Sequence, residues 1–591
     1  MKLTFRFLKN RDKLALLVCL LSVAAMCWLD LKIPEYISEI TLRVQTTGVR
    51  PSDLVEPGLF MLACALGSLL LAIVSNYVIS GVSSNLTTRM RSAVFGKTMS
   101  FSLSEMGSFQ TASLITRCTK NIDYINRFWA DGALHLMKAV VLATMAIIKM
   151  KGANVAWLGT TAAAVALTIL LMCVIFLVTI PQMIKLQGHT DDENRFINEH
   201  LTGIRVVRAF NAQRFDSARF SKTNEKLRDT SIRVERGMSF LLPGMITVIY
   251  GLTIAIYWIG AAIISGDAVS QRAADYAKMI AFSSYAMLCV QAFILLVKGL
   301  MLVPGFASSI KRVREVLDTD VPIRDGEGAS TPENTAAAIE FSGVGFRYPG
   351  AAANAISDIS FTVNRGETVA FIGATGCGKT TVLNLIPRLY DATEGEIRIN
   401  GVDIRRYALN DLRSMIGYVP QRASLFTRSI AGNIDFGDSG GFAKTLKDIE
   451  QAAVVGQADE FIRQKPEGYQ TEILPGGNNL SGGQKQRLTI SRAVCRDPKI
   501  YLFDDSFSAL DFATDKKLRA SLKRHAKGAT MLIVAQRIST IRNADRIIVL
   551  DGGRIRGMGT HDELMRTCPV YREIAETQLM NENGIGGEAA V

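Results

Sequence analysis

The stretch Gly373-Ala374-Thr375-Gly376-Cys377-Gly378-Lys379-Thr380-Thr381 combines residue types and spacing suited to gripping phosphate. Glycines at this spacing let backbone N–H groups close around a β-phosphate, and the following helix N-terminus adds favourable positive potential. The Lys379 ammonium is placed to reach the β- and γ-phosphates, and the Thr380 hydroxyl to ligate Mg²⁺. An apolar strand-like run, Thr368-Val369-Ala370-Phe371-Ile372, precedes the loop, and a helix-like run, Val382-Leu383-Asn384-Leu385-Ile386, follows it. Strand, glycine-rich turn and helix together define a P-loop, so the chain is expected to bind a nucleoside triphosphate with Mg²⁺. A second apolar run, Lys499-Ile500-Tyr501-Leu502-Phe503-Asp504, ends in a carboxylate. It reads as a Walker B strand, with Asp504 holding the Mg²⁺ shell.

These residues need a parallel sheet to position them. Strand-like runs at Val369–Ile372, Ile500–Phe503, Met531–Val534 and Ile547–Leu550 alternate with helical stretches, which predicts an α/β domain with crossover helices. That domain occupies only the second half. A chain of 591 residues exceeds one hydrophobic core. Its 48% hydrophobic and 20% charged residues suggest a membrane part joined to a soluble part. The first half carries six apolar runs of bilayer length: Leu14 to Leu29, Gly58 to about Val82, Ala133 to about Met150, Val155 to about Ile180, Phe240 to about Ile264 and Met279 to about Val303. The first could pass for a signal peptide cleaved near Ser22-Val23-Ala24, but its apolar character continues to Trp28, before Asp30 and Pro34, so an uncleaved first membrane helix is expected.

The net charge of +13 does not signal nucleic acid, because the basic residues flank the spans. The loops after spans 2 and 4 are long and basic, carrying Arg89, Arg91, Lys97, Arg117, Arg205, Arg208, Arg214, Arg228 and Arg233. The positive-inside rule then puts both termini in the cytoplasm, and the expected location is a bacterial inner membrane. The loops are too long for plain connections, so membrane helices are expected to extend beyond the bilayer. Nine scattered cysteines show no pairing pattern and fit a reducing compartment. Within the sixth span, Lys298 reads as a snorkelling residue, while Ser284, Tyr285 and Gln291 face either a substrate cavity or neighbouring helices. The domain expectation is a membrane domain over 1–317, a linker over 318–337, a nucleotide-binding domain over 338–580 and a disordered tail over 581–591.

Leu480-Ser481-Gly482-Gly483-Gln484 stands between the two phosphate-site motifs. With it the chain resembles an ATP-binding cassette (ABC) exporter half-transporter: an α-helical six-span domain followed by an α/β P-loop NTPase domain, of the type IV-like architecture. The resemblance covers nearly the whole chain. It implies that Tyr348, in Phe346-Arg347-Tyr348-Pro349, stacks on adenine and that Gln421, in Tyr418-Val419-Pro420-Gln421, touches Mg²⁺ or its water. Asp511, in Ser508-Ala509-Leu510-Asp511, takes the D-loop position. Glu199 to Phe210 and, more loosely, Gly107 to Asp123 resemble intracellular loops ending in coupling helices.

Two departures bear on mechanism. Asp505 stands where the family usually has a catalytic Glu, and Gln536 where it has the switch His. A carboxylate one methylene shorter, facing an amide without a proton switch, implies that ATP binds at this chain's own site and is hydrolysed slowly. Ser481, Gly482, Gly483 and Gln484 are intact, so the implied assembly is a heterodimer whose second subunit supplies Glu and His opposite this LSGGQ. A homodimer is the rival. Leu474-Pro475 replaces the Gly-Glu often found in the X-loop. The expected function is export of lipophilic compounds across the lipid bilayer. Lipid flipping, peptide export, siderophore-type uptake and an ATP-gated sensor or channel are the alternatives.

Overall fold

A computed structural model describes residues 2–45, 50–266, 269–328, 336–437 and 444–585. The chain divides into two compact units, one of Met1–Met99 with Thr111–Thr319 and one of Ser100–Gln110 with Asp320–Val591.

The first unit is helical. Among the described residues, six helical segments are long and apolar enough to cross a membrane: Asn10–Gln45, Ser52–Met99, Thr111–Met150, Val155–Thr202, Gln213–Gly266 and Gln271–Asp318. A helix rises about 1.5 Å per residue, so Ser52–Met99 and Val155–Thr202 far exceed a bilayer of about 30 Å. This bears out the reading that membrane helices continue beyond bilayer length, as the two long loops suggested. The first helix, Asn10–Gln45, runs beyond its apolar stretch and carries Pro34 inside it. Helices shielded by neighbours tolerate such a proline because other groups satisfy the freed carbonyl. The third segment contains a π turn, Phe128–Gly132, between the helices Lys120–Arg127 and Ala133–Met150. Apolar side chains of the bundle meet in clusters around Cys19, Val23, Ile79 and Leu142, and around Trp157, Ile256, Phe282 and Tyr285. Tyr285, a cavity candidate from sequence, is buried, and the Ser284 hydroxyl donates back to the Ile280 carbonyl.

The second unit is a two-sheet α/β domain. Its strands are β1 (Ala337–Phe346), β2 (Ile356–Asn364), β3 (Thr368–Ile372), β4 (Glu394–Ile399), β5 (Val402–Asp403), β6 (Ile416–Val419), β7 (Ile500–Asp504), β8 (Thr530–Val534), β9 (Arg546–Asp551) and β10 (Arg554–Gly559). The main sheet runs β10-β9-β3-β8-β7-β6, parallel except for β10, which pairs antiparallel with β9. All four strands predicted from apolar runs lie in it. β7 and β8 are buried at every position, as the near-continuous apolar character of a parallel strand demands. The smaller sheet, β2-β1-β4-β5, is antiparallel and was not foreseen. Its strand β2 alternates buried and exposed residues and β1 and β4 mix them, a weaker signal than a continuous run.

The structure bears on the expected domain limits at three places. Ser100–Gln110, assigned by sequence to the membrane domain, belongs with the second unit. It carries the helix Leu103–Phe109, closed by a capping box between Ser102 and Glu105, and Glu105 lies within electrostatic reach of Tyr390. The linker is partly pinned: Asp325 accepts the Leu409 N–H at 2.8 Å, and the Gly326 N–H donates to the Tyr407 carbonyl at 3.0 Å. Residues 329–335 of that linker lie outside the described residues. The final helix, Pro569–Ile585, runs past 581 into the expected disordered tail, whose remainder, 586–591, also lies outside the described residues.

Candidate nucleotide site

The phosphate loop follows β3 and ends at Gly378, whose φ of +100° makes it the left-handed N-cap of the helix Lys379–Leu385. A side chain there is excluded twice over. The backbone region disfavours a Cβ, and the atom would lie 2.4 Å from the Ile356 Cγ2. Packing against β2 thus explains why this glycine completes the loop.

Lys379 lies buried beneath the turn. Its Nζ donates to the Gly373 and Ala374 carbonyls, each at 2.8 Å, and approaches the Cys377 Sγ at 3.6 Å. The ammonium is therefore tethered by its own loop, ready to exchange those carbonyls for phosphate oxygens. Thr380 Oγ1 donates to Asp504 Oδ1 at 2.9 Å, joining the loop to the end of β7. Burial pushes the Asp504 carboxyl above the usual carboxylate range, with the neighbouring Asp505 charge adding to the rise.

Asp505 follows β7 with φ at +47°, its N–H bonded to the Val534 carbonyl at 3.0 Å. Its Oδ2 accepts from Gln536 Nε2 at 2.7 Å and from Gln421 Nε2 at 3.3 Å. Burial raises this carboxyl too, against the opposing effects of Gln421 and Lys379. The base position and the switch position, distant in sequence, are thus directly bonded. Tyr348 shares a hydrogen bond of 3.0 Å with the Thr381 hydroxyl and meets Phe346 and Tyr390 edge-on.

These side chains border one cavity of about 280 Å³, lined by Tyr348, Thr375, Gly376, Gly378, Lys379, Thr380, Thr381, Gln421, Asp504, Asp505 and Gln536. Ala355 and Val534 complete the lining. Sequence reasoning missed both, since neither carries a chemical signature and only the sheet brings them there. Gly373 and Cys377 are not part of this lining. Gly373 supplies a carbonyl to Lys379, and Cys377 is buried behind the loop.

The remaining sequence candidates lie elsewhere on the unit. Ser481 N-caps the helix Gly482–Cys495 through a reciprocal capping box: its Oγ accepts the Gln484 N–H at 3.3 Å, and Gln484 Oε1 accepts the Ser481 N–H at 3.0 Å. Ser481 and Gly482 are exposed, whereas Gly483 and Gln484 are half-buried. Asp511 N-caps the helix Phe512–His525 by accepting the Thr514 N–H at 2.9 Å, and this bond holds its carboxyl below the usual range. The X-loop departure is also accounted for locally: Leu474-Pro475 enters a short turn, Pro475–Gly477, tied by Lys485 Nζ to the Gly476 carbonyl at 2.9 Å.

The oxygens of Thr380, Asp504 and Gln421 suit a hard divalent cation that keeps water and phosphate in its shell.

A tethered P-loop lysine, a Walker B carboxylate bonded to the loop threonine, and a helical unit able to span a membrane define an ATP-driven membrane transporter. The ABC transporter family profile matches residues 356–508 and its transmembrane-region profile matches residues 14–293, so the chain belongs to the ABC transporter family, with the architecture of a half-transporter. It is 33% identical over 93% of its length to an uncharacterised ABC transporter ATP-binding protein of Mycobacterium tuberculosis, covering 94% of that protein. To an ATP-dependent lipid A-core flippase of Pseudomonas aeruginosa it is 31% identical over 83% of its length and 79% of the relative. Among solved structures, a bacterial Atm1-family ABC exporter with ATP bound superposes with a TM-score of 0.81 at 24% identity, covering 96% of this chain and 98% of that one. The chain is therefore a multi-pass membrane protein of a family that binds ATP and couples it to transport, and as a half-transporter it requires a dimeric partner.

Proposed function

We propose that this chain is the slow-hydrolysing subunit of a heterodimeric exporter of hydrophobic or amphipathic compounds in a bacterial inner membrane, with both termini in the cytoplasm. The observation that carries this reading is the Asp505 carboxylate, bonded at 2.7 Å to the Gln536 amide where a longer base and a histidine would act. A general base must come within about 2.6–3.2 Å of the proton it removes, directly or through one water. Asp505 is shorter by one methylene, and one of its oxygens is already occupied by two amide donors.

In this reading ATP seats its adenine on Tyr348 and its phosphates on the loop from Gly373 to Thr381. Thr380, Asp504 and Gln421 hold Mg²⁺, which when bound supplies charge stabilisation at the phosphates. Lys379 orients the β- and γ-phosphates. Gln536 donates a hydrogen bond but cannot pass a proton on. Ser481 and the N–H groups of Gly482, Gly483 and Gln484 cap the γ-phosphate of the partner's nucleotide, with Asp511 beside that interface. None of these residues lines this chain's own cavity, which supports such a division. ATP binding closes the paired cassettes, and the helices Leu103–Phe109 and Ile204–Ala209 transmit closure as coupling helices. The first of these helices buries only Glu105 and the second buries no residue, which leaves both faces open to a docking partner.

The test is ATPase activity of the purified full-length chain, alone and with its co-expressed partner. Turnover alone is expected to be at least about tenfold below that of the assembled pair. Brisk turnover by two copies of this chain would refute the unequal-pair reading. The likeness to a lipid A-core flippase keeps lipid flipping as the second reading, distinguished by whether a labelled lipid or a lipophilic dye moves in inverted vesicles.

A further inference from the structure

Ionisable residues inside a membrane bundle are costly and are retained where they meet a partner or a ligand. In the first unit two groups of such residues behave differently. Glu35 is satisfied by Lys32 and Lys149. Lys138 is not satisfied in this way. Its Nζ lies 3.9 Å from Asp30 Oδ2 and 3.9 Å from the Met26 Sδ, both beyond a strong ammonium hydrogen bond. Asp30 meanwhile accepts from the Ser68 hydroxyl. The surroundings of Lys138 are apolar, a cluster that includes Met26, Cys27, Leu134, Met137 and Leu142.

The sixth helix brings a second cation to the same seam. Gly299 packs so closely on the third helix that a Cβ there would lie 2.6 Å from Leu136 Cγ and 3.1 Å from the Gly132 carbonyl. That contact sets Lys298 beside the turn carrying His135, and His135 lies within electrostatic reach of both Lys138 and Lys298. Lys298 is exposed and has no ion pair among the described residues. An independent backbone feature marks the place. The π turn Phe128–Gly132 immediately precedes His135 and Lys138, and such turns recur at functional sites. It also leaves the indole N–H of the buried Trp129 without an acceptor. Asp131, on the π turn, is the acidic group facing His135. It is exposed, and seven residues of helix, about 10 Å, separate it from Lys138.

We propose that Lys138, His135 and Lys298 form a binding seam for the anionic head group of a membrane-soluble amphiphile, with Asp30 as the resting counterion of Lys138. The ligand supplies acceptor oxygens at hydrogen-bonding distance, nearer than the 3.9 Å at which Asp30 stands from Lys138, and its chain lies against the apolar cluster. This inference rests on the reading of the protein as a carrier of amphipathic compounds and narrows the charge of what it carries.

The test uses the full-length chain in phosphatidylcholine nanodiscs, titrated calorimetrically with dodecyl phosphate, dodecanol and dodecyltrimethylammonium against empty nanodiscs. Dodecyl phosphate should bind at least about tenfold tighter than the alcohol, the scale of one charge-assisted hydrogen bond. Equal affinities, or preference for the cation, overturn the proposal. Inorganic phosphate at millimolar concentration should not displace the amphiphile; full displacement shows a soluble-anion site and overturns the amphiphile assignment. Lys138→Met with Lys298→Met should abolish the preference and Lys138→Arg with Lys298→Arg should keep it, with ATP binding unchanged as the check on folding. If the double methionine variant fails that check, Asp30→Asn decides, because freeing Lys138 must tighten dodecyl phosphate binding; unchanged or weaker binding overturns the site. The titration needs no ATP. Lost charge preference therefore sinks the seam alone, whereas retained preference without ATP-driven transport sinks the export reading alone.

Discussion

The Asp505 side chain follows β7 at a φ of +47°, with the Gln421 and Gln536 amides on the same oxygen. Both the short base and the amide must change for a proton to move, so the two substitutions should act as a unit. Asp505→Glu with Gln536→His is expected to raise hydrolysis at this chain's own site by about 10²-fold, the lower end of what positioned acid–base catalysis supplies, with each single change giving far less. Single-turnover ATPase with the partner's base removed measures it, and equal gains from the singles would contradict the direct coupling. A pH prediction follows from burial. The Asp505 carboxyl is raised, so the folded chain holds this proton more tightly than the unfolded one. Its contribution to stability is full below the unfolded value and is lost as pH rises through the folded value. Asp505→Asn should therefore raise the Tm of the nucleotide-free protein at neutral pH, and the gain should shrink as the pH is lowered into the carboxylate range.

The phosphate loop shows why an element must be judged by what packs on it. Its glycine spacing is legible in sequence, but the reason for Gly378 lies in β2, since Ile356 occupies the space a side chain would need. Gly378→Ala forces both a left-handed alanine and a contact of 2.4 Å. We expect a cost of at least about 1–3 kcal/mol, read as weakened ATP affinity of about tenfold or more with the membrane unit intact. Retained affinity would mean that the loop relaxes around the methyl group. The membrane helices offer a counterpart. Gly132 and Gly299 let the third and sixth helices approach closely, and that approach, invisible in a hydropathy profile, gathers His135, Lys138 and Lys298.

For the whole molecule, Ser481 is not among the residues lining the chain's own nucleotide cavity, and the proposed function puts the two at different nucleotides. Ser481→Ala removes the hydroxyl that caps its helix and faces outward, whereas Asp505→Ala alters a site expected to turn over slowly. In the assembled transporter, Ser481→Ala should reduce steady-state ATPase at least about tenfold and Asp505→Ala by less than about threefold, outside the cost of the lost cap of about 1 kcal/mol. The reverse ordering would show that this chain's own Walker site carries the turnover.

The sequence by itself determined the two halves, the six apolar spans and the parallel strands, because burial in lipid or between helix layers leaves continuous apolar runs. It also determined the motifs, because phosphate chemistry tolerates few residue types at few spacings. The antiparallel sheet was not legible, since half-exposed strands leave only a weak alternation. Nor was the passage of Ser100–Gln110 into the second unit, since a short polar helix in a long loop carries no address. Only the tertiary structure decided that Asp505 and Gln536 share a hydrogen bond, and that a lysine from the third helix faces an aspartate from the first. Contacts between residues far apart in the chain depend on how elements pack, and packing is written in shapes and distances rather than in spacing along one chain.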